Sequence, residues 1–357
     1  MKILFVIGPL KSGGAERVVA NLSNEFVKNN SVFIATTVDE NSDYIIDKNV
    51  KIICLDDGKK NNFFKKNIIR IKNLKKLINE EKIDIAISFL PEPSYRLMIA
   101  KNNKIKTIIS ERNDPNIEYN SFIKKILTKL LYCKADGFIF QTEDAKKWFC
   151  KKIQKKSIVI PNPINEKFIS NAYYGKREKT IVNVGRLVKQ KNQKMLIDAF
   201  NEVHKKHNEY ILKIYGDGEL YDELKKQIKN LKLEDYVFLM GKKNDIKKEI
   251  YKSGIFVLSS DYEGMPNSLM EAMALGIPCI STDCPIGGPN FLIENNKNGL
   301  LFQVNNKDEL VANINLLIEN EQLAKELSNN ANKICEILNP KIINRKWREY
   351  IEEVVKK

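Results

Sequence analysis

The chain predicts an α/β fold of two doubly wound domains, on three observations. Its 357 residues exceed what one hydrophobic core usually organises, so two domains are expected. Short apolar runs alternate with longer amphipathic ones, the pattern of parallel sheets covered by helices. The alternation stops near mid-chain, from Pro161-Asn-Pro-Ile-Asn165 to Lys179, where Pro, Asn and Gly accumulate as in a linker, and then starts again.

In the first half the strands are expected at Lys2–Ile7, Val32–Thr37, Lys51–Leu55, Ile83–Phe89, Thr107–Ser110, Gly137–Gln141 and Ser157–Ile160. Helical periodicity lies between them at Ala15–Asn29, Lys65–Glu81, Tyr95–Lys101, Ser121–Cys133 and Glu143–Lys152. In the second half strands are expected at Thr180–Val184, Tyr210–Tyr215, Val237–Met240, Ile255–Ser259, Pro278–Ser281 and Leu300–Phe302. The helices there are Lys191–Lys206, Gly218–Asn230, Asp245–Lys252, Asn267–Leu275, Gly288–Glu294 and Lys307–Leu338. After Pro340 a last helix carries Ile342, Ile343, Trp347, Tyr350, Ile351 and Val354 as an apolar face, with no strand to follow, and is expected to pack back on the first domain. The boundaries are therefore 1–163, 164–340 and a terminal helix over 341–357. Two such domains face each other across a central cleft, with ligands beyond the carboxyl ends of the strands.

The formal charge is +15, from 60 Lys and Arg against 45 Asp and Glu. That favours anionic partners, namely nucleotides, lipid head groups or nucleic acid, although a solvated lysine-rich surface accounts for most of these lysines. The six cysteines are scattered without a C-x-x-C pair, and His204 and His207 lie on a polar helical stretch. No metal site is expected from that set, and the cysteines read as small core residues in a reducing compartment. The apolar run of Met1–Gly8 is too short for a signal peptide, and no run is long enough to span a bilayer, so a cytoplasmic protein is expected.

The chemistry concentrates after the strand that ends at Ser260. The segment Asp261-Tyr-Glu-Gly-Met-Pro-Asn-Ser-Leu-Met-Glu271 is a glycine loop opening a helix, with Glu263 in the loop and Glu271 on the helix. A helix start presents unpaired N–H groups to a phosphate, and a carboxylate farther along can accept both hydroxyls of a ribose. The segment Asn183-Val-Gly-Arg-Leu-Val-Lys-Gln-Lys-Asn192 places Arg186 straight after a strand and Lys191 five residues on. Together they can hold a leaving diphosphate without a metal. Tyr215-Gly-Asp-Gly-Glu219 and Asp283-Cys-Pro-Ile-Gly-Gly-Pro289 are further glycine loops at strand ends. In the first half, Ser12-Gly-Gly-Ala-Glu-Arg17 opens a helix; it suits an anion, and a plain βα turn fits it equally well. It lacks the G-x-G-x-x-G spacing of a dinucleotide site. Ser88–Pro93 and Ser110-Glu-Arg-Asn-Asp-Pro115 are polar loops at strand ends; Arg112 or Asn113 can contact an acceptor, and loop polarity alone explains them as well.

These residues, in this order, resemble the retaining glycosyltransferases of family GT4, which have the GT-B fold of two Rossmann-like domains. The likeness rests on Gly13-Gly14-Ala-Glu-Arg17, on Gly185-Arg186 with Lys191, on Gly216-Asp-Gly218, and on Glu263 and Glu271 as an E-x7-E motif. The block Asp283–Glu294 looks like that of bacterial members that build surface polysaccharides or lipid-linked oligosaccharides.

The resemblance implies a hexosyltransferase-type enzyme that moves a sugar from a nucleotide diphosphate sugar, UDP-linked as the family expectation, with retention and without a metal. Its acceptor would be a glycan or lipid-linked glycan. By the same resemblance Arg186, Lys191 and Glu263 are catalytic, with the two cations on the diphosphate and Glu263 facing the sugar. Glu271 binds the ribose, the amides of Met265, Asn267 and Ser268 serve the phosphate, and Gly13, Gly14, Gly185 and Gly216 let the backbone approach the donor. Glu16, Arg17, Glu111, Arg112 and Asn113 are acceptor-side candidates. Many members carry a histidine in the loop matching Ser110–Pro115, and this chain has Arg112 or Asn113 there instead.

Two basic stretches, Phe63–Leu77 and Phe122–Tyr132, pair apolar residues with clustered lysine, as a helix on an anionic membrane would; packing on the domain's own sheet explains the same pattern. They make peripheral contact with the inner face of the cell membrane an expectation. Two other classes remain open on sequence: a Rossmann-type NAD-dependent oxidoreductase or epimerase, and a basic nucleic-acid-binding protein. The first lacks its fingerprint and the second any recognised module.

Overall fold

Each buried apolar run forms a strand of a parallel sheet, and the amphipathic runs between them form covering helices. The computed structural model describes residues 1–11, 13–38, 42–59, 62–169 and 171–357, so Ser12 of the first glycine loop and Ser170 of the linker lie outside the described residues. Contacts divide the chain into one unit of Met1–Pro163 with Lys341–Lys357 and a second of Ile164–Pro340.

In chain order the first unit contains β1 (Lys2–Val6), α1 (Gly14–Phe26), β2 (Ser31–Thr36), β3 (Lys51–Cys54), α2 (Phe63–Glu80), β4 (Ile85–Phe89) and α3 (Pro91–Ala100). It continues with β5 (Lys106–Ser110), α4 (Pro115–Glu118), α5 (Phe122–Tyr132), β6 (Gly137–Phe140), α6 (Glu143–Trp148), α7 (Lys151–Gln154) and β7 (Ser157–Val159). The second unit contains β8 (Thr180–Val184), α8 (Gln193–Lys206), β9 (Ile211–Tyr215), α9 (Tyr221–Asn230), β10 (Val237–Gly241), α10 (Ile246–Ile250) and β11 (Ile255–Leu258). Then follow α11 (Asn267–Ala274), β12 (Cys279–Thr282), α12 (Gly288–Leu292), β13 (Leu300–Phe302), α13 (Lys307–Glu319), α14 (Glu321–Ala331) and α15 (Ile334–Ile337), with α16 (Pro340–Lys356) last.

The first sheet runs β3-β2-β1-β4-β5-β6-β7 and the second β10-β9-β8-β11-β12-β13, every pairing parallel. The order reverses between β1 and β4 in one sheet and between β8 and β11 in the other. At such a switch point the helices leave to opposite faces, and a crevice opens at the strands' carboxyl ends. The second unit's core collects Ile181, Ile197, Phe200, Leu212, Val257 and Phe302, all fully or almost fully buried. That of the first collects Leu4, Val6, Phe33, Leu74, Ala86 and Leu97.

Helix α16 belongs to the first unit. Trp347 is fully buried, with its ring centroid 5.9 Å from that of Phe89. The Tyr350 hydroxyl accepts from Phe138 N at 3.0 Å and donates to Lys156 O at 2.7 Å.

Two helices expected as single elements are broken. Lys307–Leu338 is three helices: Asn320, at φ −119° and ψ 81°, caps α14 by accepting from Leu323 N at 3.0 Å. Glu143–Lys152 is two, because Phe149 turns extended and buries its ring among Phe140, Tyr119 and Tyr132.

Candidate active site

The site begins with close approach of backbone at the switch point of the second sheet. Gly216, after β9, has φ +140°, and a Cβ there would stand 1.9 Å from Gly185 O, so only glycine fits. Gly288 opens α12 against the loop after β11, where a Cβ would meet Gly264 O at 1.8 Å. The loops that follow β8 and β9 are thereby drawn together, as are those that follow β11 and β12.

Side chains tie the first and third of these loops. A short 3-10 turn, Lys189–Lys191, precedes α8, so the helix starts two residues later than its periodicity suggests. Asn192 ends that turn in the left-handed region at φ 46° and caps α8 by accepting from Met195 N. The Asn192 amide also donates to Asp261 Oδ1 at 2.7 Å, and Gln190 Nε2 donates to Tyr262 O at 2.8 Å. Asp261 N returns a bond to Gln190 O at 2.8 Å. Burial raises the Asp261 carboxyl above its ordinary range, partly offset by the Asn192 bond.

Within this frame Lys191 Nζ forms an ion pair with Glu263 Oε1, which also accepts from Ser260 Oγ at 2.7 Å. The two side chains are only 15% and 8% exposed, so the pair is screened from water far more than a surface pair would be. The lysine stem lies along Gly185, whose Cβ position is 3.4 Å from Lys191 Cδ. Ser259 Oγ donates to Lys191 O at 2.9 Å, and Thr282 Oγ1 to Ser260 O at 2.6 Å. Burial, with the Glu263 charge beside it, pushes the Cys284 thiol up to about 12, so it stays protonated. Arg186 lies two residues past the end of β8 and is exposed. Its guanidinium has no hydrogen-bond or ionic partner among the described residues, while its carbonyl is held by Gln193 Nε2 at 2.9 Å.

Helix α11 starts at Asn267 behind Pro266, with no side chain capping its first turn. Met265 is buried, and Asn267 and Ser268 are half-buried. Glu271 is buried on the second turn. Pro266 gives this end of α11 no side-chain cap, and the acid stands one turn farther along.

In the first unit the loop after β1 carries Gly13, Gly14, Glu16 and Arg17. Gly13 N donates to the Tyr44 hydroxyl at 2.8 Å, and that hydroxyl donates to Gly13 O at 2.7 Å. Burial pushes the Tyr44 phenol up. Glu16 and Arg17 are half-buried on the first turn of α1.

The loop after β5 points mostly inward. Glu111 accepts from the Tyr119 hydroxyl at 2.7 Å, which meets the Tyr132 hydroxyl at 2.8 Å. Burial pushes the Glu111 carboxyl up to about 7. The Arg112 guanidinium lies 5.2 Å from both the Phe89 and Trp347 rings and donates to Asn162 Oδ1 at 2.9 Å. Burial pulls it down to about 9. Asn113 is half-buried and donates to Glu118 Oε1 at 2.7 Å.

Lys191, Glu263, Gly185 and Gly216 are thus assembled in the second unit, with Arg186 and the start of α11 on the adjoining loops. Glu111 and Arg112 are held inside the first unit. The sequence reading missed Ser260, Asn192, Asp261 and Gly288, which hold that assembly. Their signal was the pair of hydroxyls just after β11, Ser259 and Ser260, and the second glycine of Gly287-Gly288. Among the described residues no group of His, Cys, Asp and Glu is placed to hold a metal ion.

Residues 165–334 match the family model described as glycosyl transferases group 1, and residues 12–168 match that of glycosyltransferase family 4. A Campylobacter jejuni 4-α-N-acetylgalactosaminyltransferase is 30% identical over 346 residues, covering 92% of this chain and 93% of its own. Its name gives its acceptor as N-acetylgalactosamine-N,N'-diacetylbacillosaminyl-diphospho-undecaprenol. The structure of Anabaena Alr3699/HepE in complex with UDP superposes with a TM-score of 0.85 at 19% identity, covering 99% of this chain and 100% of that one. A variant of Staphylococcus aureus TarM, in complex with fondaparinux, α-GlcNAc-glycerol and UDP, gives 0.68 at 26% identity over 79% of this chain and 58% of that one.

Proposed function

The chain belongs to glycosyltransferase family 4, and from that premise we propose that it transfers a sugar from a UDP-sugar to a lipid-linked glycan with retention at the anomeric carbon. The observation that best supports the donor half is the second unit's loop set: the screened Lys191–Glu263 pair, the exposed Arg186 on the loop after β8, with no guanidinium partner among the described residues, and the start of α11, which has no side-chain cap. UDP as the nucleotide is supported by the UDP held in the TarM complex. A lipid-linked acceptor is supported by the undecaprenyl acceptor named for the Campylobacter relative, and in this reading it is met at the cytoplasmic face of the membrane.

In this reading the ion pair is the resting arrangement. A diphosphate brings two negative charges that Arg186 grips bidentately and Lys191 meets as a point charge. Lys191 then shares its charge between Glu263 and the phosphate, and the Glu263 carboxylate orients the donor sugar. Glu271 takes the ribose hydroxyls, and the amides of Met265, Asn267 and Ser268 take the phosphate oxygens. The leaving group is a diphosphate, which needs charge stabilisation rather than protonation. Same-face attack follows, with the donor phosphate accepting the proton of the acceptor hydroxyl as the glycosidic bond breaks. The second unit is the donor domain and the first the acceptor domain, with Glu16, Arg17 and Asn113 as contact candidates. Glu111 and Arg112 act through position, bracing the loop that carries Asn113.

A panel of nucleotide sugars, offered with a polyprenyl-diphosphate glycan and followed by nucleoside diphosphate release and the anomeric NMR coupling of the product, tests the reading. Release of UDP with an α-product from an α-linked donor is expected. An inverted product overturns retention, and turnover only with a non-uridine donor overturns the nucleotide.

A further inference from the structure

Helix α5 is packed inside out. Of its eleven residues only Thr128 and Tyr132 are buried, and both use hydroxyls to hold the unit. Thr128 Oγ1 lies 2.7 Å from the Tyr95 hydroxyl of α3, and Tyr132 joins the Tyr119–Glu111 chain at 2.8 Å. The other face is apolar and open: Phe122 is 77% exposed, Ile123 70% and Leu130 61%. A helix covering an α/β sheet normally shows the reverse.

Helix α2 repeats this in its first turns. Its buried residues, Leu74, Leu77 and Ile78, all lie in the second half, whereas Phe63, Phe64 and Ile68 are exposed. The two helices flank one turn of α3: Arg96 Nε donates to Asn67 Oδ1 of α2 at 2.8 Å, while the neighbouring Tyr95 holds α5. Eight of the nineteen exposed large apolar side chains among the described residues fall on these two helices, so the patch is a concentration rather than scatter. Lys65, Lys66, Lys124, Lys125 and Lys129 are interleaved with them. The one acid on that turn of α3, Glu92, is ion-paired to Arg96.

We propose that α5 and the first turns of α2 form a docking face for a bilayer rich in anionic phospholipid, with the apolar side chains in the acyl boundary and the lysines at the head groups. Charge selects this occupant. A second copy on the same face would set lysines against lysines, because a two-fold contact pairs like patches. An anionic surface instead meets each of them with opposite charge. The proposal stands apart from the acceptor reading, since it needs no glycan.

The test is flotation of the full chain with vesicles of phosphatidylcholine, alone or mixed with phosphatidylglycerol. Binding to the mixed vesicles is expected, weakening as salt is added. The double variant Ile123→Glu, Leu130→Glu should lose about tenfold or more of the partitioning, and each of Lys124→Gln and Lys129→Gln about fivefold. Ile45→Glu, on a side chain 91% exposed elsewhere in the unit, should change nothing. Equal binding by wild type and the double variant, or no binding to either vesicle, overturns the proposal. So does a concentration-dependent dimer in sedimentation that the same variant dissolves. UDP binding, measured on every variant, separates a failed docking face from a failed donor site or a failed fold.

Discussion

Arg186 and Lys191 are both cations, and their surroundings differ. Lys191 is held by Glu263 before any ligand arrives, while the exposed Arg186 guanidinium has no partner to release among the described residues. If Arg186 binds the diphosphate as proposed, Arg186→Ala removes little from the unliganded fold and much from a developing diphosphate charge. We expect kcat/KM to fall about a hundredfold or more, with stability changed by no more than about 0.5 kcal/mol. Steady-state turnover beside a thermal melt checks both, and near-normal turnover would remove Arg186 from the mechanism. Glu111 supplies a second expectation. Its folded pKa, about 7, lies above its ordinary 4.5 because it is buried. The protonated carboxyl stabilises the fold fully below the lower value, and that contribution is lost as pH rises to about 7. Wild type should lose stability across this window, on the order of 3 kcal/mol at most, and Glu111→Gln should not. Urea midpoints at both ends of the window, compared between the two proteins, would show parallel behaviour if the carboxyl were ionised throughout.

At the level of elements, most of the fold was legible because strand and helix periods differ and the buried strands are continuous apolar runs. Thr180–Val184 and Leu300–Phe302 fall where the pattern puts them. The misplaced boundaries are those set by single side chains. Asn320 reads as an ordinary polar residue in a helical stretch, yet its side chain caps α14 and its backbone ends α13. Phe149 fits an amphipathic helix, and the aromatic cluster around Tyr119 and Tyr132 takes it into an extended turn. The loops after β8 and β11 were legible because glycine and charge occur together at strand ends. The inward turn of Glu111 and Arg112 was not, because a polar loop has the same composition whether it faces water or a ring pair such as Phe89 and Trp347. Helix α5 shows the limit of periodicity in the other direction: its pattern gives an amphipathic helix but not which face turns inward.

For the whole molecule, the two units use one architecture with different switch-point loops. The second unit places an ion pair, an exposed arginine and a helix start without a side-chain cap at its reversal of strand order; the first places Gly13 with Tyr44 there. If the second is the donor domain, UDP alone should protect it. Ligand that binds only the folded state at about a hundred times its dissociation constant stabilises by about 2.7 kcal/mol, a roughly hundredfold slowing for amides that exchange through loss of the binding-competent state. Hydrogen exchange with and without UDP should show that slowing over 185–191, 216–219 and 259–268. The polar loop at 110–114 should be unchanged, because its side chains are already committed to Tyr119 and Asn162. Protection confined to the first unit would reverse the assignment of donor and acceptor halves, and with it the roles given to Glu263 and Glu271.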